Sequence, residues 1–390
     1  MKPLGRIAYM CTDPGIPVLG HKGGSVHVRS VLAELTRRAE EVHLFAAHLD
    51  GTVPEELGEV RFHELPRPAT SDAAREAALV QADRVAAERL LSVAGTAGFD
   101  LLYQRYALWS CEPLEVAAEA GWPSILEVNA PLIEEQARHR RLDDVAGATE
   151  RTIRAVQSAD LAFAVSPAVA RWASNLAGRP VPVVPNGVAP ERFSAPAPPK
   201  VPGSSELVVG FVGTFRPWHD VDGLVDAVAA VDRTEGVSPL RLLLVGDGPG
   251  RERAVARAEA LGLAVTATGA VAPEEIPDLI GLMDVALAVY DGTDSYFSPL
   301  KVFEYMAAGV AVAASAVGGL EDLFRNGEEL LLSRPGDRDA LVEHLRSLCT
   351  DPSVRRSVGD AGRRAVVERH TWSGTVDRVL GLLGTRKVAA

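Results

Sequence analysis

One run of the sequence places a positive charge where a helix disfavours it, S-P-L-K-V-F-E-Y-M-A-A-G at 298–309. Ser298 is a favourable N-cap and Pro299 a favourable first helical residue, so the run predicts a helix that begins there. Lys301 then lies in the first turn, where the helix dipole disfavours a cation. A bound anion would remove this conflict, because the helix N-terminus and Lys301 would both attract it.

Glu304 lies three residues after Lys301 and therefore on the same helical face. The two side chains suit a ligand that carries a diphosphate and a ribose. Lys301 would bind the phosphates, and Glu304 would accept hydrogen bonds from the ribose hydroxyls. The alternative interpretation is an ordinary surface ion pair.

A second run, F-V-G-T-F-R-P-W-H-D at 211–220, includes the end of the first predicted strand of the second half of the chain. Gly213 ends that strand, and Arg216 and His219 follow where their side chains could face a phosphate. The planar guanidinium group of Arg216 suits this role. A surface loop with Trp218 packed inside explains the same residues equally well.

Two glycine-rich runs are weaker indications. In V-L-G-H-K-G-G-S-V-H-V at 18–28, Gly23 and Gly24 would let the backbone approach a ligand, and Ser25 would cap the following helix. An ordinary strand–helix turn is the simpler interpretation of that run. L-V-G-D-G-P-G at 244–250 has the spacing G-x-G-x-G and follows a second strand, so it predicts a plain turn rather than a dinucleotide site.

Short apolar runs that alternate with alanine-rich stretches must position these motifs. In the first half we predict strands at 6–11, 42–47, 59–63, 100–105, 124–128, 160–165 and 181–184. The pattern stops at 186–204, a predicted linker rich in Pro, Ala and Gly, and restarts with six further strands between 207 and 332. Strands without polar alternation, separated by helices, are typical of doubly wound parallel sheets.

Composition argues against several classes of protein. The 390 residues carry a formal net charge of −12, spread over both halves, which gives no basic surface for nucleic acid. Three distant cysteines indicate neither a disulfide framework nor a cysteine-ligated zinc site. No run reads as a signal peptide or a membrane span. We therefore expect a cytoplasmic protein of two or three domains.

Together the motifs resemble those of retaining glycosyltransferases of family 4, which have the GT-B fold. Besides 298–309 and 211–220, the resemblance lies in G-D-G-P-G at 246–250, T-G-A-V at 268–271, G-G-L-E-D-L at 318–323, E-V-N-A-P-L at 127–132 and V-P-N-G-V at 184–188. It implies an α/β fold of the GT-B class, with two Rossmann-like doubly wound parallel-sheet domains facing across a cleft. Residues 1–190 would form the acceptor-side domain, with a C-terminal helix in 372–390 packing back on it. Residues 191–371 would form the nucleotide-sugar donor domain.

The resemblance also implies roles for individual residues. Arg216 and Lys301 would bind the diphosphate and act in catalysis, and Glu304 would bind the ribose. Gly23 and Gly24 would approach the diphosphate from the first domain. The backbone of four consecutive residues would hold the transferred sugar: Phe297, Ser298, Pro299 and Leu300. No metal and no cofactor is implied, since the nucleoside-diphosphate sugar is a co-substrate.

The sequence departs from the commoner family pattern at three positions. Tyr296 stands where the first Glu of an E-x7-E pair is frequent, Thr214 where an arginine is frequent, and His219 near the usual lysine. These changes leave the identity of the sugar open. They also leave more of the leaving-group charge to Arg216 and Lys301.

For the acceptor we predict a polar set in the first half of the chain: Arg105, Glu127, Asn129, Glu135, Arg138 and His139. The alternative is a solvated helix face together with polar strand ends. The compact basic cluster R-H-R-R at 138–141 is flanked by carboxylates, so we expect no membrane association and a small, soluble acceptor.

The predicted function is transfer of a sugar from a nucleoside-diphosphate sugar to that acceptor, with retention of configuration and without a metal. The alternatives are a nucleotide-sugar epimerase or a sugar phosphorylase on the same fold, or a scaffold that has lost catalysis. Nucleic acid is not an expected partner. The sequence indicates neither the base of the donor nor the oligomeric state.

Overall fold

The computed structural model describes residues 4–20, 22–68, 74–139, 141–193, 206–292, 296 and 298–389, with the side chains of 139 and 386–389 excepted. The chain divides into two compact units. Unit 1 comprises Met1–Asn186 and Trp372–Ala390, and unit 2 comprises Gly187–Thr371. The chain therefore leaves unit 1 once and returns to it with its last helix.

Unit 1 is built on one parallel sheet flanked by helices. Its strands are β1 (Leu4–Cys11), β2 (Ala39–Ala46), β3 (Arg61–Glu64), β4 (Leu101–Arg105), β5 (Ser124–Val128) and β6 (Leu161–Ala164). Its helices include α1 (Gly23–Thr36), α2 (Arg75–Ala94), α3 (Glu112–Ala120), α4 (Leu132–His139), α5 (Val145–Ser158) and α6 (Pro167–Ala177). Every residue of β5 and β6 is buried, as expected for strands covered by helices on both faces.

Unit 2 repeats this plan. Its strands are β7 (Leu207–Val212), β8 (Leu240–Val245), β9 (Ala264–Ala267), β10 (Val285–Ala288), β11 (Ala311–Ser315) and β12 (Leu331–Ser333). Its helices include α7 (Val221–Asp232), α8 (Arg251–Ala260), α9 (Ile276–Gly281), α10 (Leu300–Ala307), α11 (Leu320–Leu323), α12 (Arg338–Thr350) and α13 (Pro352–Arg369).

The last helix, α14 (Trp372–Ala389), belongs to unit 1 and packs on α1. The Trp372 ring meets the His27 ring edge-on, with centroids 4.9 Å apart. Arg38 Nε donates to Asp377 Oδ1 at 2.9 Å. No helix of the described residues has the length and hydropathy needed to cross a membrane.

The two sheets have the same strand order. Within the described residues, the order is β3-β2-β1-β4-β5-β6 in unit 1 and β12-β11-β10-β7-β8-β9 in unit 2, with all neighbours parallel. In each sheet the first strand lies between the second and the fourth, and the winding reverses there. Open α/β sheets bind ligands beyond the carboxyl ends of the strands at this reversal. The predicted fold class of two doubly wound parallel sheets is confirmed.

Two predictions about the end of unit 1 are wrong. Residues 181–184 form no strand among the described residues, since Val183 makes only an isolated bridge to Ala164 and Pro182 has no N–H to donate. The predicted linker begins too early. Val188 bridges to Thr371, and Phe193, in a short 3-10 helix, is buried in the core of unit 2.

The N-terminal cap predicted for α1 is also wrong. The helix begins at Gly23, with Lys22 as its N-cap. Ser25 therefore lies inside the first turn, and its hydroxyl donates to the Pro17 carbonyl at 2.5 Å. This hydrogen bond attaches the start of α1 to the loop that follows β1.

Candidate functional site

Helix α10 is fixed on the sheet of unit 2 by its buried face. Val302, Phe303 and Met306 are fully buried, because the i, i+1, i+4 spacing turns them to one side of the helix. Tyr305 is buried as well, and its hydroxyl accepts a hydrogen bond from the Val212 N–H at 2.7 Å. The helix is thereby attached to the end of β7.

The first turn of α10 differs from the sequence prediction by one residue. The helix begins at Leu300, and Pro299 is its N-cap, with φ −78° and ψ 92° and no side-chain capping hydrogen bond. Ser298 is therefore not the N-cap, because the backbone of Pro299 is extended rather than helical. Lys301 still lies in the first turn, as predicted.

The amino group of Lys301 lies over the end of β7. Its Nζ is 4.2 Å from the centroid of the Phe211 ring and 5.5 Å from that of Tyr290, which follows β10. Gly213 makes room for it, since a Cβ there would stand 2.9 Å from Nζ. Lys301 therefore sits where the winding of the sheet reverses, the expected place for a ligand.

His219 turns a second N–H group toward Lys301. Its Nδ1 accepts a hydrogen bond from the Arg216 backbone N–H at 3.2 Å, so the neutral ring carries its proton on Nε2. Nε2 lies 3.4 Å from Lys301 Nζ. When Lys301 is protonated, two N–H donors face each other, and an anion between them would satisfy both.

The pKa values follow from this crowding. Burial, followed by the charges of Lys301 and Arg216, lowers the pKa of His219 to about 2, so the ring is neutral at ordinary pH. Burial lowers the pKa of Lys301 to about 7, against the raising effect of Glu304. Lys301 and Glu304 keep some solvent exposure, but the surrounding protein removes most of their hydration.

Glu304 lies one turn along α10 from Lys301. Burial raises its pKa to about 7, while the charges of Arg192 and then Lys301 oppose the shift. Arg192 belongs to the 3-10 helix Pro190–Phe193, and its Nη2 donates to the Pro273 carbonyl at 2.8 Å. The alternative of a simple surface ion pair is not supported, because no ion pair joins Lys301 to Glu304 within the described part of the chain.

The glycines of 246–250 support the loop that carries Arg216. A Cβ on Gly246 would collide with the Gly213 carbonyl oxygen, and one on Gly248 with the Thr214 carbonyl oxygen. The Gly250 N–H donates to the Phe215 carbonyl at 3.0 Å. The G-x-G-x-G spacing is therefore explained by close packing of two backbones.

The structure places the other residues predicted to bind the nucleotide sugar as follows. Arg216 is exposed, Ser298 and Pro299 are buried, and Leu300 opens α10. Phe297 lies outside the described residues.

Gly23 and Gly24 open α1 in unit 1. A Cβ at Gly23 would meet nothing within 4 Å among the described atoms, and one at Gly24 would make ordinary contact with Ile16. Packing within unit 1 therefore does not require these glycines. Their role beside a diphosphate stays a prediction.

Three of the predicted acceptor residues come together in unit 1. The strand register places Arg105 beside Glu127, and alternation puts Asn129 on the same face of the sheet. His27 of α1 lies against Glu127, with Nε2 2.5 Å from Oε1, and the two side chains are 4% and 3% exposed. Burial raises the pKa of Glu127, but the charges of His27 and Arg105 and a hydrogen bond from Asn129 outweigh it and hold the pKa below its usual value.

The remaining acceptor-side predictions fall on α4. Glu135 is half-buried and Arg138 is exposed, while His139 ends the helix and its side chain is not described. Their roles stay predictions.

Sequence reasoning missed several residues that complete these clusters: Tyr9, His27, Tyr103, Arg192 and Tyr290. A usable indication existed for His27. It precedes Val31 and Leu35 by one and two helical turns and so lies on the apolar face of α1. A histidine on such a face needs a buried polar partner, which Glu127 supplies.

Solved structures similar to the whole chain define its class. A sucrose-phosphate synthase from Thermosynechococcus elongatus aligns over 99% of this chain and 100% of its own, with a TM-score of 0.74 and 21% identity. The Anabaena HepE protein in complex with UDP and glucose aligns over 97% and 99%, with a TM-score of 0.66 and 19% identity. At this identity the likeness shows the fold alone, which is GT-B.

Two family models then identify the family. Residues 21–192 match the model described as Glycosyltransferase Family 4, and residues 206–351 match the model described as Glycosyl transferases group 1. The chain belongs to glycosyltransferase family 4, as its motifs predicted.

Curated relatives are similar over part of their length. A D-inositol 3-phosphate glycosyltransferase from Rhodococcus erythropolis is 36% identical over 194 residues, which are 47% of this chain and 42% of the relative. A 2-deoxystreptamine glucosyltransferase from Streptomyces kanamyceticus is 32% identical over 226 residues, 53% of this chain and 56% of the relative. The chain thus spans about half the length of the curated relatives that it matches.

Proposed function

We propose that the protein is a retaining hexosyltransferase that moves a sugar from a nucleoside-diphosphate sugar to a small, soluble acceptor without a metal ion. Unit 2 would bind the nucleotide sugar and unit 1 the acceptor. The observation that carries the proposal is the convergence of Lys301 Nζ and His219 Nε2, 3.4 Å apart, beside the first turn of α10. Two N–H donors at a helix N-terminus suit a diphosphate.

Similar proteins support this reading. HepE has been solved with UDP and glucose, and the relative from Streptomyces kanamyceticus is named a glucosyltransferase. The relatives from Rhodococcus erythropolis and Streptomyces kanamyceticus are named for small cyclic acceptors, inositol 3-phosphate and 2-deoxystreptamine. The buried, unpaired cysteines Cys11, Cys111 and Cys349 agree with a reducing compartment such as the cytoplasm, which we also propose.

In the proposed reaction, the bond between the anomeric carbon and the β-phosphate oxygen breaks. The acceptor oxygen bonds to the same face of the sugar, and its proton passes to the departing phosphate oxygen. Negative charge grows on the leaving diphosphate, where Lys301, Arg216 and the N-terminus of α10 would stabilise it. Glu304 would accept hydrogen bonds from the ribose hydroxyls.

A binding screen followed by a transfer assay tests the function. We expect one of the UDP-, GDP-, ADP- or dTDP-sugars to raise the melting temperature, because a ligand that binds only the folded state stabilises it by mass action. That sugar should then give acceptor-dependent release of the nucleoside diphosphate, unchanged by EDTA. NMR of the product would give its anomeric configuration.

The outcomes of this assay separate the alternatives. Epimerised nucleotide sugar formed without an acceptor would favour an epimerase, and a requirement for inorganic phosphate would favour a phosphorylase. Binding without any turnover would favour a scaffold. Loss of activity with EDTA, restored by a divalent metal, would contradict the metal-free mechanism.

The lowered pKa of Lys301 makes binding of the nucleotide sugar depend on pH. The amine is protonated below its pKa of about 7, and a bound diphosphate raises that pKa because it stabilises the cation. The affinity is therefore highest below about pH 7 and falls as the pH rises. The fall is up to about tenfold per pH unit, until the pKa of Lys301 in the bound state is passed. Titration of the nucleotide sugar at several pH values measures this.

Glu304 is the group that could confuse this measurement, because its pKa is also about 7. The variant Glu304→Gln removes that titration and should keep the fall above pH 7. His219 cannot produce the fall, since its pKa is about 2. An affinity that stays flat from pH 6 to pH 9 in both proteins would contradict the assignment to Lys301.

A further inference from the structure

A second polar cluster lies in unit 1, at the carboxyl ends of β1, β4 and β5. It contains six buried atoms without a hydrogen-bond partner among the described residues: Tyr9 Oη, His27 Nε2, Arg105 Nε, Arg105 Nη1, Glu127 Oε2 and Asn129 Oδ1. Buried polar groups in folded proteins are almost always hydrogen-bonded. Six exceptions at one edge of one sheet therefore indicate a place built for a polar ligand.

The position of this cluster within the sheet supports a ligand. Tyr9 lies near the end of β1, and Arg105 ends β4. These two strands flank the reversal of winding in unit 1, as β7 and β10 do beside Lys301 in unit 2. Tyr9 and Tyr103 pair in register, and their rings stack with centroids 5.2 Å apart, which fixes the floor of the cluster.

Arg105 forms no hydrogen bond or ion pair with a carboxylate among the described residues. Glu127, beside Arg105 in register, is close enough to feel its charge, but its Oε1 lies against His27 Nε2 at 2.5 Å. The other nearby carboxylate, Asp13, accepts a hydrogen bond from the Gly15 N–H at 2.7 Å. Arg105 is left with two buried nitrogens that have no acceptor among the described atoms.

The donors of this cluster favour an oxyanion. The two nitrogens of Arg105 can only donate, and the hydroxyl of Tyr9 can donate as well. Asn129 Oδ1 and Glu127 Oε2 must accept, and hydroxyls of the same ligand would satisfy them. A group with several acceptor oxygens beside at least one hydroxyl matches this set, and guanidinium groups bind carboxylates and phosphates with shorter, stronger hydrogen bonds than neutral groups.

We propose that the acceptor carries an acidic group, a carboxylate or a phosphate, and that Arg105 binds it with the help of Tyr9. The claim that this ligand is the acceptor rests on the proposed function. The oxyanion site at Arg105 rests on the geometry of unit 1, so the two claims can fail separately.

Calorimetric titration tests the site with minimal probes. Glycerol 3-phosphate, glycerate and glycerol share one scaffold and differ in the acidic group, so the three arms separate phosphate, carboxylate and neutral ligands. The titrations use the Lys301→Ala variant, so that the acids cannot bind at Lys301 in unit 2. The ionic strength is held constant. We expect at least one acid to bind, and glycerol not to bind at the same concentration.

Substitution of Arg105 then assigns the site. Arg105→Gln should weaken binding of the acid by about 10- to 100-fold, the usual loss in affinity for hydrogen bonds to a charged group. Arg105→Lys should weaken it less, because the charge remains. Melting temperatures and circular dichroism of both variants show whether unit 1 is folded, and a folded Arg105→Lys protein keeps the test valid if Arg105→Gln does not fold.

Two results would overturn the proposal: acids that bind no better than glycerol, or acid binding that neither substitution weakens. Acid binding at Arg105 in a protein that turns over no nucleotide sugar would leave the site standing and refute the proposed function. Turnover with neutral acceptors whose KM does not change in Arg105→Gln would leave the proposed function standing and refute the acidic acceptor.

Discussion

Replacement of Lys301 by alanine is expected to lower kcat/KM for the nucleotide sugar by about 10²- to 10³-fold, the range found when one preorganised group opposite a developing oxyanion is removed. The amino group lies 3.4 Å from His219 Nε2, and His219 is neutral because its pKa is about 2. The variant therefore keeps an N–H donor but loses the cation. Initial rates of nucleoside diphosphate release, measured below the Lys301 pKa of about 7, give the ratio.

Arg364→Ala is the matched control for this substitution. Arg364 is an exposed cation on α13 of the same unit, so its removal changes net charge equally and should leave kcat/KM unchanged. Lys301→Ala should also keep its melting temperature, because removal of a desolvated cation relieves a cost. A folded Lys301→Ala protein that turned over like the parent would show that Lys301 is not catalytic.

Replacement of Gly248 by alanine is expected to abolish binding of the nucleotide sugar and to destabilise unit 2. Gly248 has φ +154°, and its Cβ would collide with the Thr214 carbonyl oxygen. The unfavourable backbone alone costs about 1–3 kcal/mol, and the collision adds to it by displacing the 213–216 loop. Denaturant unfolding measures the loss of stability, and titration of the nucleotide sugar measures the loss of binding.

Gly262→Ala separates the two contributions. Gly262 follows α8 in the same unit with φ +76°, but its Cβ would meet nothing within 4 Å among the described atoms. This variant should lose only the conformational part, about 1 kcal/mol, and should bind the nucleotide sugar normally. Equal losses in the two variants would mean that contact with the 213–216 loop does not matter.

The architecture was largely predictable because local periodicity and burial agree along the chain. Strands such as 207–212 and 285–288 are apolar throughout, and buried parallel strands have this composition. The errors fall where few residues decide the outcome. Pro182 removes a donor from a short strand, and the single aromatic Phe193 attaches part of the predicted linker to unit 2.

The candidate site was predictable in part, for a similar reason. The conflict between Lys301 and its helix end is local, so the sequence displays it. The approach of His219 to Lys301 joins residues 82 positions apart, and the pairing of His27 with Glu127 joins α1 to β5. Such contacts depend on the strand order, which local patterns do not encode. Arg192 was missed because it lies in a stretch whose composition predicts a linker.

The return of the chain to unit 1 sets an order of events during synthesis. Trp372, which meets the ring of His27, is translated after all of unit 2. A growing chain can therefore form the whole second sheet while the His27–Glu127 pair still lacks its aromatic cover. The first unit to leave the ribosome is the last to be completed.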